Sequence, residues 1–212
     1  MGSRAALAGE QRQRSFTELR RRQQIVDEAI RVIAESGYSR ASLGQIALRL
    51  KISKGIISYH FAKKDELIQE IISTTLAEGA RFMSGYLGRA QSPAGELRAY
   101  IEGEIAFLKA HRNHAIALVE IYNARVADYA PHRKQFLAAL QEQLEKGQRT
   151  GEFRPFAARI MAITIRAAIE AVPHLLVETP DFDLDAYAEE LMQTFDAATR
   201  TVPERGHVSA NE

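Results

Sequence analysis

Two short helix-forming stretches joined by only a few residues, within the run from Ser42 to Phe61, constrain this chain more than any other feature. Ser42 followed by Gln45 has the spacing of a capping box, in which a side-chain hydroxyl and an amide satisfy the orphan amides at a helix start. Ile46, Ala47 and Leu50 then fall on one face, and the small Ala47 lets a crossing helix approach closely. Ser53 is a second cap eleven residues after the first. Helices joined so tightly cannot lie antiparallel, and a steep crossing is the geometry of a helix-turn-helix. Upstream, Leu19, Val26, Ala29, Ile30, Ile33 and Ala34 recur at three- and four-residue steps until Ser36-Gly37 stops the pattern, so a three-helix unit is expected.

Charge is distributed unevenly along the chain. Residues 1–64 carry 13 Lys and Arg against 5 Asp and Glu, a net of +8, and the remaining 148 residues carry 15 against 22, a net of −7. The whole-chain net of +1 hides this split. A basic unit joined to an acidic one fits a polyanion partner for the first. A solvated basic face is the plainer reading, and the helix-turn-helix in the same segment favours the polyanion.

The segment from Ile25 to Leu67 resembles the DNA-binding domain of the TetR family of transcriptional regulators. The resemblance rests on the amphipathic first helix, Ser42, Ile46-Ala47, the run Ile52-Ser53-Lys54-Gly55, Tyr59-His60-Phe61, and Lys64 followed by Asp65-Glu66-Leu67. It covers about a fifth of the chain, and order and spacing together carry it. Two positions depart from the family pattern. Lys51 stands in the turn where glycine is usual, at a site that commonly needs positive φ. Ser58 stands where an aromatic residue is usual, so base preference does not carry over from other members.

The recognition helix is expected at about 54–61, its first turn directed into a major groove. Lys54, Gly55, Ile56 and Ser58 are the candidates for base edges: Gly55 admits close backbone approach, Lys54 reaches a guanine edge or a phosphate, and Ile56 meets a thymine methyl or packs inward. Ile52 and Ile57 read as core. Tyr59, His60 and Lys64 read as phosphate contacts, with a structural role at the helix end as the alternative for His60. Ser42 and the amides at its helix start offer a further phosphate site.

An all-α fold is expected throughout, since alternating β-branched runs are absent and apolar residues recur at helical spacing. Residues 1–15 read as a disordered basic arm, with minor-groove insertion as the alternative; 16–63 as the DNA-binding domain; 64–200 as a helical effector-binding and dimerisation domain; and 201–212 as a disordered tail. Helices are expected at about 64–88, 93–111, 113–128, 132–149, 155–177 and 184–200, with Pro131 between two of them and Pro173 kinking another. The first of these, with Leu67, Ile68, Ile71, Ile72, Thr75, Leu76, Gly79 and Phe82, connects the two domains. The absence of cysteine removes disulfides and thiolate chemistry, and with no secretory pattern at Met1 to Glu18 a cytoplasmic location is expected. Charges such as Arg166 and Glu170 interrupt the apolar stretches, so no membrane partner is expected.

A homodimer is expected through the last two helices. One stripe is Ile160, Ile163, Thr164, Ala167, Ala168, Ala171 and Leu175, and the other Leu184, Tyr187, Leu191, Thr194, Phe195 and Ala198; covering the monomer core is the alternative for both. The family resemblance implies a small-molecule effector, for which Tyr100, Phe107, His111, His114, Tyr122, Arg166, Glu170 and His174 are candidate lining. Arg166 and Glu170 also have the spacing of an ion pair. His111-x-x-His114 lacks an obvious further ligand, so no metal and no cofactor are expected. Together these readings describe a homodimeric, operator-binding regulator, a repressor by family resemblance, released by a small molecule. A DNA-binding factor without an effector is the alternative. An enzyme is disfavoured because no phosphate-binding glycine loop, nucleophile with a His-acid pair or metal constellation is present.

Overall fold

The computed structural model describes residues 2–201, with side chains from Phe16 onward apart from Tyr129. The described residues form ten helices: α1 Gly2–Ser36, α2 Leu43–Leu50, α3 Lys54–His60, α4 Lys64–Leu87, α5 Pro93–Ala110, α6 Arg112–Ala124, α7 Val126–Arg149, α8 Ala158–Glu170, α9 Val172–Glu178 and α10 Leu184–Thr199. Among the described residues the only β-type pairing is an isolated bridge between Phe153 and Arg200, so the fold is all-α. The expected tail lies outside the described residues from 202 onward. Residues 2–15, read as a disordered arm, fall within α1; Ala, Leu, Glu, Gln and Arg there are good helix formers even without an apolar stripe.

The chain divides into two compact units. Among the described residues, unit 1 takes 2–78 and 111–127, and unit 2 takes 79–110 and 128–201. The unit that contains the helix-turn-helix therefore extends past residue 63, taking in most of α4 and all of α6. Its core joins Ile25, Ile30 and Ile33 of α1, Ile46 and Ala47 of α2, Ile57 and Phe61 at α3, Leu67, Ile68, Ile71 and Ile72 of α4, and Ala117 and Ile121 of α6. α1 ends where Gly37 turns left-handed at φ 82° and its amide bonds to the Ile33 carbonyl at 2.8 Å, as a glycine stop should.

Unit 2 packs α10 against α5. One core cluster collects Leu97, Ile101, Leu140, Leu144, Ile165, Ile169 and Phe195, and a second collects Ile105, Val172, Leu176 and Leu184. The helix expected at 155–177 is two: α8 ends at Glu170 with Ala171 as its cap, and Pro173 sits in the first turn of α9, where its missing amide costs nothing. Pro131, expected between helices, lies inside α7 instead, and the break falls at Arg125 with φ −138° and ψ 61°. Residues 158–178 are apolar enough in composition to cross a membrane, yet they bury Ala162, Ile165, Ile169, Val172 and Leu176 in unit 2.

The turn of the helix-turn-helix resolves the question raised by Lys51. Its backbone is left-handed, φ 54° and ψ 41°, with its amide directed to the carbonyls of Ala47 and Leu48, and Ile52 bonds back to Ala47 at 3.0 Å. That closes α2 in the manner of a Schellman motif, with a lysine in the conformation that glycine adopts without steric cost. Lys51→Gly is therefore expected to raise the free energy of unfolding by about 1 kcal/mol. Urea denaturation of the full chain checks this; an unchanged or lowered midpoint would remove the strain assigned to Lys51.

Candidate nucleic-acid interface

The recognition helix is set by its caps and by two buried anchors. Ser42 accepts from the Gln45 amide at 3.1 Å and Ser53 accepts from the Ile56 amide at 3.3 Å, so both caps read from sequence are formed. Ile57 and Phe61 are fully buried, which fixes the rotation of α3 about its axis. The opposite face is then forced outward: Lys54, Gly55, Ser58 and Tyr59 are exposed and Ile56 is 40% exposed. Ser42 is exposed as well, at the start of α2. Gly55 has no heavy atom closer than 3.7 Å to the position of an added Cβ, so the space it leaves faces outward rather than into a neighbour.

The three residues read as phosphate contacts differ in their surroundings. The Tyr59 hydroxyl donates to Glu18 Oε1 at 3.2 Å, and its ring meets His60 edge-on. The His60 carbonyl accepts from Arg22 at 2.6 Å, which ties the end of α3 to α1. Lys64 is partly buried: its ammonium donates to the Tyr38 carbonyl at 2.7 Å and lies 3.9 Å from the Tyr38 ring centre. Burial lowers its pKa from the ordinary lysine value, with nearby Asp65 opposing. One of the three ammonium protons is thus already engaged, and Lys64 also has a structural attachment to the loop after α1.

Sequence reading missed the ion pairs that hold this frame. Arg22 also pairs with Glu70 of α4 at 2.9 Å and lies over the Phe61 ring at 4.1 Å, so one guanidinium spans α1, the end of α3 and α4. Glu28, 6% exposed, accepts from Arg49 of α2 at 2.7 Å and from Arg31 at 2.6 Å. Arg49 also reaches Glu35, whose carboxyl is held below its ordinary value by that hydrogen bond. On α6, Glu120 accepts from the Tyr38 amide at 3.2 Å, and Arg125 pairs with Asp65 at 2.6 Å. Apart from the local Glu28–Arg31 pair, no periodicity in sequence announces these contacts, because their members are 14 to 82 residues apart.

The eight residues read as effector lining are distributed over both units. His111, His114 and Tyr122 lie in unit 1, half-buried, and the other five in unit 2. In unit 2, Arg166 is the centre of a partly buried cluster. It donates to Tyr100 at 3.1 Å, Glu104 at 2.9 Å and Glu170 at 3.0 Å and lies 4.7 Å from the Phe136 ring centre. Arg133 approaches Glu170 at 3.6 Å. Burial raises the Tyr100 pKa, partly offset by Arg166. Phe107 packs edge-on to Phe82, and His174 is exposed, away from any interior surface. A cavity of about 160 Å³ lies between α5 and α10, lined by Leu97, Ile101, Phe153, Met192 and Thr199 among others, and none of the eight lines it.

The dimer stripes divide in the same way. Ile160, Thr164 and Ala167 of α8 are exposed, and Ile163, Ala171 and Leu175 are half-buried. Leu184 and Phe195, expected at the seam, are 4% and 6% exposed within unit 2; the apolar face of α10 is taken up by the chain's own core. Tyr187 donates to the Ala168 carbonyl at 2.9 Å, and Leu191 packs against the same core.

These features define a class: a helix-turn-helix unit with an outward recognition helix, joined to a second all-α unit. Residues 25–71 match the family described as bacterial regulatory proteins, tetR family, and the match coincides with the helix-turn-helix and the start of α4. The chain is 31% identical over 134 residues to the A-factor receptor protein of Streptomyces griseus, a match covering 62% of this chain and 45% of that protein. It thus spans less than half the length of that relative. Among solved structures it resembles a transcriptional regulator from Saccharomonospora viridis in complex with choline, with a TM-score of 0.75 and 19% identity over 85% of this chain and 98% of that one. It also resembles AibR in complex with isovaleryl coenzyme A and operator DNA, with a TM-score of 0.72 and 17% identity over 82% and 97%. Likeness at these identities concerns the fold.

Arg166→Ala is expected to lower the stability of the full chain by about 3 kcal/mol, because Glu104 and Glu170 lose their shared cation in a partly dry site. Thermal and urea unfolding measure it; a change below about 0.5 kcal/mol, the level of an exposed pair, would mean solvent screens the cluster.

Proposed function

We propose that this chain is a sequence-specific, DNA-binding transcriptional regulator that acts as a homodimer on a palindromic operator. The observation that carries the reading is the outward face of α3, with Lys54, Gly55, Ile56, Ser58 and Tyr59 exposed while Ile57 and Phe61 are locked in the core. A capped helix with an uncovered first turn is what a major groove accepts. Ser42, Tyr59, His60 and Lys64 serve the backbone and supply salt-dependent affinity. A single short helix reads few base pairs, and a two-fold pair extends the site; the exposed Ile160, Thr164 and Ala167 of α8 support a self-complementary contact there.

The regulator is a cytoplasmic repressor, and a small molecule releases it from the operator by selecting a conformation with lower DNA affinity. Structures of similar fold hold choline, or isovaleryl coenzyme A with operator DNA, which supports an effector for this chain. Unit 2 is the proposed effector site. The cavity of about 160 Å³ between α5 and α10 is smaller than the roughly 300 to 1,000 Å³ usual for drug-sized ligands, so entry of such a ligand there requires rearrangement. The small cavity equally favours a second reading, a DNA-binding factor controlled without an effector.

Selection of bound fragments from a random DNA library, followed by salt titration of the winner, tests the proposal. A palindrome with a steep salt slope is expected; no enrichment from folded protein would overturn it. On the selected operator, Lys54→Ala is expected to cost about 1 to 3 kcal/mol and to relax preference at one position of each half-site. A uniform loss across all sequences would reassign Lys54 to a phosphate.

A further inference from the structure

We propose that Glu78, His111 and His114 form a binding site for a divalent transition-metal cation of the zinc type, inside unit 1. The histidine pair lacked a third ligand in sequence. The fold supplies it from α4, 33 residues upstream of His111. One ligand atom from each of the three residues lies within 4.8 Å of the others. His114 Nε2 and Glu78 Oε2 are 3.5 Å apart. Two ligands sharing a tetrahedral Zn²⁺ with bonds of about 2.1 Å stand about 3.4 Å apart, so one edge of the coordination shell is already in place and the remaining edges, within 4.8 Å, close by at most about 1.4 Å of side-chain movement.

Three local features favour a cation over a purely structural His–Glu contact. At 3.5 Å the pair makes no hydrogen bond, and Glu78 Oε2 is buried without a hydrogen-bond partner among the described residues. A buried carboxylate oxygen left in that state is costly. His111 stands at the N-cap of α6, three residues before His114, and makes no side-chain capping bond. The two rings are nearly perpendicular with centres 5.5 Å apart, an arrangement in which their nitrogens converge without the rings clashing. Two imidazoles and one carboxylate form a borderline donor set suited to Zn²⁺ and its neighbours rather than to Mg²⁺ or Ca²⁺. Three protein ligands leave a fourth position for water or for a donor atom of a ligand.

The site's place within unit 1 gives it a consequence. A cation there fastens α4 at Glu78 to the start of α6, and the same two helices hold the helix-turn-helix frame through Lys64 to Tyr38, Arg125 to Asp65 and Glu120 to Tyr38. Loading the site stiffens that frame; an effect on operator affinity rests on the function proposed above, whereas cation binding does not.

The test is therefore made on DNA-free protein. The full chain, freed of metal with a chelator, is titrated with Co²⁺, whose visible absorption reports a low-symmetry nitrogen and oxygen site, and then with Zn²⁺ in competition. One equivalent per chain is expected, displaced by Zn²⁺, with a rise in Tm of several degrees. Glu78→Gln, His111→Gln and His114→Gln, each checked for an unchanged metal-free helical spectrum, are expected to weaken Zn²⁺ binding by about 100-fold or more each. Absence of a saturable Co²⁺ signal in the wild-type chain overturns the site. So does stoichiometric binding that persists in Glu78→Gln or in either histidine variant.

Discussion

The breadth of the apolar surface on α1 is the constraint on which unit 1 depends. Ile25, Val26, Ala29, Ile30, Val32 and Ile33 are each no more than 1% exposed. At 100° per residue these six positions sweep an arc of about 160°, well beyond the stripe one packing partner covers. α2 and α3 meet part of that arc, and α6 is needed for the rest: Ala117 and Ile121, both fully buried, belong to the same cluster. This is why a segment 50 residues beyond the helix-turn-helix belongs to the same unit, and why a boundary drawn at residue 63 divides a core.

The same packing changes the meaning of the basic charge. The net of +8 over residues 1–64 counts Arg22, Arg31 and Arg49, which pair with Glu70, Glu28 and Glu35. Two of those acids lie inside the counted segment and Glu70 just beyond it. Arginine suits this work because its planar fork bonds two partners at once. Arg49 bridges two acids of α1 and thereby sets α2 against it. The charge left to attract a polyanion sits instead on residues such as exposed Lys54, and on the part of Lys64 that Tyr38 leaves uncovered. Local chemistry divides the cations between frame and face, and net charge alone is blind to that division.

What was legible in sequence follows the range of the interactions. Caps, stops and periodicity are local, so Ser42, Ser53, Gly37 and the span of α3 could be read directly. Pro131 was misplaced because a proline inside a helix and one between helices leave the same mark; it is the sixth residue of α7, just past the four orphan amides, so it forfeits a hydrogen bond to the Ala127 carbonyl early in the helix. Lys51 was the reverse case: the expected conformation formed without the glycine that makes it easy. Leu184 and Phe195 show the limit of stripe reading, because an apolar stripe states that something covers it without stating whether the cover is another helix of the chain or a second copy. The exposed stripe on α8 was distinguishable from the buried one on α10 only once both were packed. Glu78 was invisible for the same reason, since nothing in its neighbourhood on α4 points to residue 111.

Arg166 sets the terms for any ligand that enters unit 2 at its cluster. Its donors are committed to Tyr100, Glu104 and Glu170, and Arg133 brings the local count to two cations against two carboxylates. A neutral apolar ligand wedged among them would separate these charges and leave each partly desolvated, at a cost of several kcal/mol per ion. A ligand with its own charged or strongly polar group meets a different balance. An anionic group takes the place of a carboxylate on Arg166, and a cationic group takes the place of Arg166 between Glu104 and Glu170. In either case one native pair is exchanged for another, and the displaced side chain must find water or move its helix. The cavity lined by Leu97, Ile101 and Met192 is a mixed environment as well, because Arg98 and the Arg200–Asp196 ion pair also line it. In both regions an entering ligand therefore meets an ion pair, and the Arg166 cluster is the one in which two carboxylates share one guanidinium.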